Sequence, residues 1–155
     1  MPGVVPQDIC DAVLQALRGS PCAQLFGDTF DPSTGLGVQK FFADWADATA
    51  YPQAIVGEPG ESYTFMTPAG GNERPFLADG AISVAVYASD RYQARVLGNQ
   101  VGRALNDAPL VWVGGSLMEL RMRSAAFIPN PPTGPGVPTV FVRQIMFSIE
   151  YQGAL

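Results

Sequence analysis

No histidine occurs anywhere in the 155 residues. Its absence removes the commonest general base and the commonest transition-metal ligand from the chemistry open to this chain. Cysteine is nearly as scarce. Cys10 and Cys22 make a poor zinc site without histidine and too small a set for a disulfide framework, so they read as structural thiols. Charged residues make up only 15% of the chain, well below the usual quarter. A surface so poor in charge suits a protein that hides part of it against partners. Lysine is almost missing: Lys40 is the one lysine among nine basic residues, and the net charge is −5. With no basic run, the footprint of a phosphate-gripping protein is absent. No apolar run reaches the eighteen residues of a membrane span, and no charged-then-apolar start marks secretion. The expectation is a soluble protein made in the cytoplasm, with no membrane partner. There is no GxxxxGK-S/T loop, no GxGxxG after a strand and no GxSxG elbow. No cofactor, metal or catalytic set is expected.

What the chain has is an ordinary hydrophobic content of 47%, with 17 glycines and 14 prolines. At this length a single domain over residues 1–155 is the expectation, able to bury a core without metal or disulfide.

The clearest unit is Asp79 to Leu110. Ile82, Val84 and Val86 alternate as in a half-buried strand. Ser89 and Asp90 stand where a helix cap belongs. Ala94, Leu97, Val101, Ala104 and Leu105 then make one apolar stripe, and Asn106-Asp107-Ala108-Pro109 ends it. Upstream, Asp8 to Leu17 reads as a short helix with Ile9, Val13, Ala16 and Leu17 on one face, stopped at Gly19. From Ser20 to Ala50 the pattern is weak and turn-rich, the mark of a loop elaboration. Phe41, Phe42 and Trp45 form an aromatic knot within it. The knot is either a satellite core cluster, the favoured reading, or a set of interface anchors.

Tyr51 to Gly57 reads as a strand, Glu58 to Glu61 as a turn, Ser62 to Thr67 as a second strand and 68–75 as a loop. Val111 to Val113 is a short apolar run before a Gly114-Gly115 turn. Leu117 to Ile128 is a long strand, with Met118, Leu120 and Met122 on one face and Glu119, Arg121 and Arg123 on the other. Residues 129–138 hold five prolines, which exclude helix and central strand. Thr139 to Gln152 is a second long strand. Phe141, Ile145, Phe147, Ile149 and Tyr151 share a face that Arg143 interrupts. The two long strands predict a C-terminal β-hairpin with a proline-rich tip. The fold class expected is α+β: a mainly antiparallel β-sheet with an N-terminal helix and a second amphipathic helix packed on one face.

Four carboxylate pairs are spaced three apart: Asp8/Asp11, Asp28/Asp31, Asp44/Asp47 and Glu58/Glu61. Such pairs serve acid–base or Mg²⁺ chemistry when they share a face. Here they fall in a first helical turn or beside turns, where acids are structurally favoured. Arg121 and Arg123 form a small basic stripe, read either as a subunit or DNA contact or as a solvated face balanced by Glu119 and Glu150.

Three runs then carry a resemblance: Tyr51 to Glu58, Asp79 to Leu105, and Phe141 to Gln152. Their order of helix, strand, strand, helix and final strand ending in Tyr151-Gln152 resembles the tail-terminator or tail-completion proteins of long-tailed bacteriophages. Segments 20–50 and 129–138 lie outside the common pattern. The resemblance implies a non-enzymatic virion protein: a homo-oligomeric ring, usually six copies, at the head-proximal end of a tail tube. The ring ends tube polymerisation, meets the head–tail connector or neck proteins, and lets DNA pass without sequence-specific binding. The interface candidates are Phe41, Phe42, Trp45, Arg121, Arg123, Pro131, Pro132 and Val137. The alternatives are another neck component, such as a connector or tail-tube-like protein, or a small ligand-binding module.

Overall fold

In the computed structural model the described residues are 5–44, 51–65, 75–129 and 140–154, without the side chains of Met118 and Ala154. Trp45, Pro131, Pro132 and Val137 lie outside them, as do the hairpin tip and most of the 68–75 loop.

Helix α1 (Ile9–Arg18) starts at Asp8, whose side chain accepts the backbone N–H of Asp11 at 2.8 Å. This satisfies one of the orphan donors of the first turn. Ile9, Cys10, Ala12, Val13, Leu14 and Leu17 are buried, while Ala16 is half-buried. Helix α3 (Arg91–Leu105) begins at Asp90, which accepts from Tyr92 and Gln93. Its buried stripe holds the expected Ala94, Leu97, Val101 and Leu105 and adds Gly98 and Gly102, while Ala104 is only half-buried. These glycines let the helix lie close on the sheet: a Cβ at 98 would stand 2.8 Å from Arg143 Cγ, and one at 102 would stand 2.6 Å from Met122 Sδ.

The seven strands among the described residues form one sheet in the order β1-β2-β4-β7-β6-β5, with β3 also paired to β4. They are β1 (Phe41–Ala43), β2 (Gln53–Val56), β3 (Gly60–Phe65), β4 (Pro75–Ala88), β5 (Val111–Trp112), β6 (Gly115–Ile128) and β7 (Phe141–Ala154). Every pairing is antiparallel except β1 with β2. The C-terminal hairpin is β6–β7, and β4 lies along the other side of β7 over all fourteen of its residues. On β4, residues Phe76, Ala78, Ile82, Val84, Val86 and Ala88 are buried; on β7, Ile145, Phe147, Ile149 and Tyr151. These residues, α1 and α3 form a single core cluster. One face of the sheet is therefore covered by helix and the other is half-open, as the alternation predicted.

Three features depart from the expectation. The 20–50 segment is not loop alone: it contains β1 and a short helix α2 (Cys22–Phe26). Five and three residues are too few to show a period, and β1 exists because β2 lies beside it. Strand β4 begins at Pro75 rather than Asp79, because β3 pairs with its first half. Strand β6 also carries two register shifts, between Leu117 and Glu119 and between Met122 and Ser124. Each shift adds a residue and reverses the parity that a straight strand would keep. After the second, Ala125 and Phe127 turn to the helix-covered face.

Candidate functional site

Asp47 of the Asp44/Asp47 pair lies outside the described residues, and the other acids make contacts that hold the fold. Asp8 caps α1. Asp31 accepts from the N–H and the hydroxyl of Ser33 at 2.9 and 2.7 Å, and these bonds hold its carboxyl below the usual range. Asp28 turns inward, where its carboxylate lies 3.9 Å from Arg18 and accepts the Lys40 N–H at 2.8 Å. Glu61 accepts from the hydroxyl of Tyr151. Among the described residues no group of three or more Asp, Glu, Cys or His is arranged to hold a metal.

Both thiols are free and buried. Burial, followed by the charges of Glu58, Asp8, Asp44 and Asp11, pushes the Cys10 thiol up to about 12. Burial raises Cys22 too, against a lowering hydrogen bond from Ser20. Neither is a nucleophile at neutral pH.

Phe41 and Phe42 are 0% and 5% exposed. Phe41 packs on Phe26 at 5.0 Å. Phe41 belongs to the core cluster with α1, whereas Phe42, the next residue of β1, is buried on the opposite face of the sheet. Arg121 and Arg123 are on the surface, with 57% and 58% of their side chains exposed. Glu119 lies 3.3 Å from Arg121 and 3.5 Å from Arg123, and Asp107 lies 3.6 Å from Arg121. The stripe is paired by Glu119 and Asp107, and Glu150 takes no part in it among the described residues.

The exposed aromatic residues are elsewhere. A row of rings runs over the helix-covered face from Trp112 to Tyr151 at 5.0 Å, on to Phe76 at 6.1 Å, and from Phe76 to Tyr63 at 5.1 Å and Phe65 at 6.1 Å. Glycines make room for it: a Cβ at 115 would meet the Trp112 indole at 2.5 Å, and one at 153 would meet Phe76 at 2.8 Å. The row ends on β3 at Tyr63 and Phe65, which are 48% and 43% exposed. Among the described residues β3 pairs with β4 alone.

The opposite margin is the outer edge of β6. Strand β5 covers it only at Gly115 and Ser116. Further along, the end of α3 reaches it: Asp107 N–H donates to Leu120 O at 2.8 Å, and Asn106 Oδ1 accepts from Met122 N–H at 2.9 Å. From Arg121 to Pro129 most residues are exposed. Between this edge and α3 runs an open groove of about 630 Å³, lined by Asn99, Gly102, Arg103, Asn106, Met122 and Arg123 among others. It is shallow and polar, unlike the enclosed apolar cavity that suits a small-molecule ligand.

The sheet margins were not readable from local pattern, but one signal was countable. Residues 1–90 contain eleven of the fourteen acidic and three of the nine basic residues, a net charge of −8. Residues 91–155 contain three acidic and six basic residues, a net charge of +3. Such asymmetry between halves points to an interaction surface.

Compared with known proteins, the chain matches no family model and no curated protein. Among solved structures its fold is similar to that of a chain in the virion of a native gene transfer agent particle. The two are 19% identical, with a TM-score of 0.60 over 94% of this chain and 95% of the other. The likeness spans both chains almost end to end, and it establishes a shared fold.

Proposed function

We propose that this chain is a structural protein of a phage-like virion and, within it, the tail terminator. In this role copies form a ring, six by the family resemblance, on the head-proximal end of the tail tube. One face of the ring fits the last tube layer. The other refuses further tube subunits and receives the head or neck proteins. DNA passes through the lumen. The observation that carries the reading is the fold shared with a gene transfer agent virion chain over nearly the whole of both molecules. Two properties of the chain support it. Among the described residues β3 pairs with β4 alone, and no strand pairs with the outer edge of β6 past Ser116, which leaves edges for neighbours to pair with. The net charge of −5 keeps a passing polyanion from sticking.

Another neck component, a connector or a tail-tube-like protein, draws on the same support. One experiment separates them. The purified chain is weighed in its native state at two concentrations and imaged by negative stain, alone and with tail tubes. A ring of about six copies seated at one end of each tube is the expected result. A ring that binds connectors and ignores tubes assigns the chain to the neck. A single copy at every concentration that binds neither removes the reading.

A further inference from the structure

The charge asymmetry of the sequence becomes spatial in the sheet. Its order β1-β2-β4-β7-β6-β5 places every strand of the acidic half on one side and every strand of the basic half on the other, with the divide between β4 and β7. The domain is electrically polar across its width.

On the acidic side, Asp8, Asp44 and Glu58 crowd together where β1 ends and β3 begins, and Asp79 is exposed on β4 beside Ser62. Among the described residues, none of these four has a cation within ion-pair distance. On the basic side, Arg91 and Arg95 lie 5.1 and 5.6 Å from the ring of Phe127, with Arg143 at 4.8 Å on its own strand. Arg103 and Arg123 line the groove along β6. Arg91, Arg95 and Arg103 are exposed and have no carboxylate within ion-pair distance among the described residues. Among the described residues each margin gathers charge without an ion-pair partner, Arg123 excepted, which Glu119 pairs.

We propose that the β3 edge of one copy docks head-to-tail into the α3–β6 groove of the next. The acids around Glu58 then face the arginines of the groove, with Tyr63 and Phe65 as anchors. The proposal rests on the ring reading in needing repeated copies, but its evidence is the sheet alone. The partner is a second copy because each margin supplies the charge the other lacks, which favours pairing and disfavours slipped or like-to-like contacts. The faces agree as well. Tyr63 pairs with Ala78, and Phe65 with Phe76, on the helix-covered face. The groove opens on that face too, between α3 and Met122. A β3 added in a continued sheet beside β6 past Met122, beyond the edge groups that the end of α3 already takes, keeps both rings on the helix-covered face. Unlike edges joined in this way make a heterologous contact, which closes into a ring or runs on as a filament.

The test uses the full chain and four exposed positions. One variant reverses the acidic margin, Glu58→Arg with Asp79→Arg. A second reverses the basic margin, Arg95→Glu with Arg103→Glu. A third carries all four changes. Association is read from native mass against concentration, with circular dichroism confirming the fold. Each single-margin variant should associate at least about tenfold more weakly than the parent. The fourfold variant, and a one-to-one mixture of the first two, should recover. Tyr63→Ser with Phe65→Ser should weaken association with the charges untouched. If both single-margin variants associate like the parent, the docking is wrong. The same holds if the fourfold variant is no better than either. A parent that forms rings on tail tubes while the reversals have no effect leaves the terminator reading standing and removes only the edge docking. A parent that stays a single copy and ignores tubes removes both.

Discussion

The guanidinium of Arg18, at the end of α1, lies 3.9 Å from the carboxylate of Asp28, and only 16% and 2% of the two side chains are exposed. Arg18 also donates to the carbonyl of Phe41 at 3.2 Å and sits 5.0 Å over the ring of Phe30. Asp28 accepts the N–H groups of Phe30 and Lys40. One ion pair thus ties α1 to the whole run leading into β1. Burial lowers the pKa of Arg18, opposed by the attraction of Asp28.

Removing one partner leaves a buried charge uncompensated. Asp28→Ala should lower stability by roughly 3 kcal/mol. Asp28→Asn should cost less, because its amide oxygen still accepts from the backbone. Urea titration of the two variants checks the order. An Ala variant with the parent's midpoint would show that the pair contributes nothing.

Gly80 sits where β3 crosses closest to β4. A Cβ there would collide with the backbone carbonyl of Gly60, which no rotamer change relieves. Gly80→Ala should therefore cost about 1–3 kcal/mol and loosen β3 more than β7. Hydrogen exchange on residues 60–65 reports the loosening directly. Uniform protection there, equal to the parent's, would mean that the strands adjust without separating.

Glu58 has its pKa raised by burial, then by the like charges of Asp44 and Asp8. The folded chain therefore binds this proton more tightly than the unfolded chain. The group's favourable contribution is complete below its ordinary value of 4.5 and is lost as pH rises through the higher folded value. Glu58→Gln should be at least as stable as the parent at about pH 7, with the advantage closing below about pH 4. A gap that widens on acidification contradicts the crowding.

Cys10 is protonated at neutral pH, held up by burial and surrounding acids, and Cys22 is buried in the same core cluster. Iodoacetamide should label neither in the folded chain and both after unfolding. At least about a hundredfold slower labelling in the fold is expected from thiols of this kind. Rapid labelling of Cys10 in the native chain would contradict its burial.

Some elements were legible because their cause is local. The stripe from Ala94 to Leu105 and the cap at Asp90 lie within one stretch of chain. The alternation from Ile145 to Tyr151 records directly which side of β7 is covered. Gly98 and Gly102 carried a weaker signal, small residues one turn apart, whose meaning depended on Arg143 and Met122 lying opposite. The burial of Phe41 and Phe42 was open between core and interface until β1 was found beside β2.

The residue order alone settled the helix faces, the strand periods, the absence of histidine chemistry and the surplus of acid in the first ninety residues, since each is a property of neighbours along the chain. Tertiary structure decided which strands meet and where the edges fall. Only the sheet order sends the acidic half to one margin and the arginines to the other. Only the β6 bulges set which of its residues face α3. Pairing between distant segments depends on register and closure across the whole molecule, which no local period encodes.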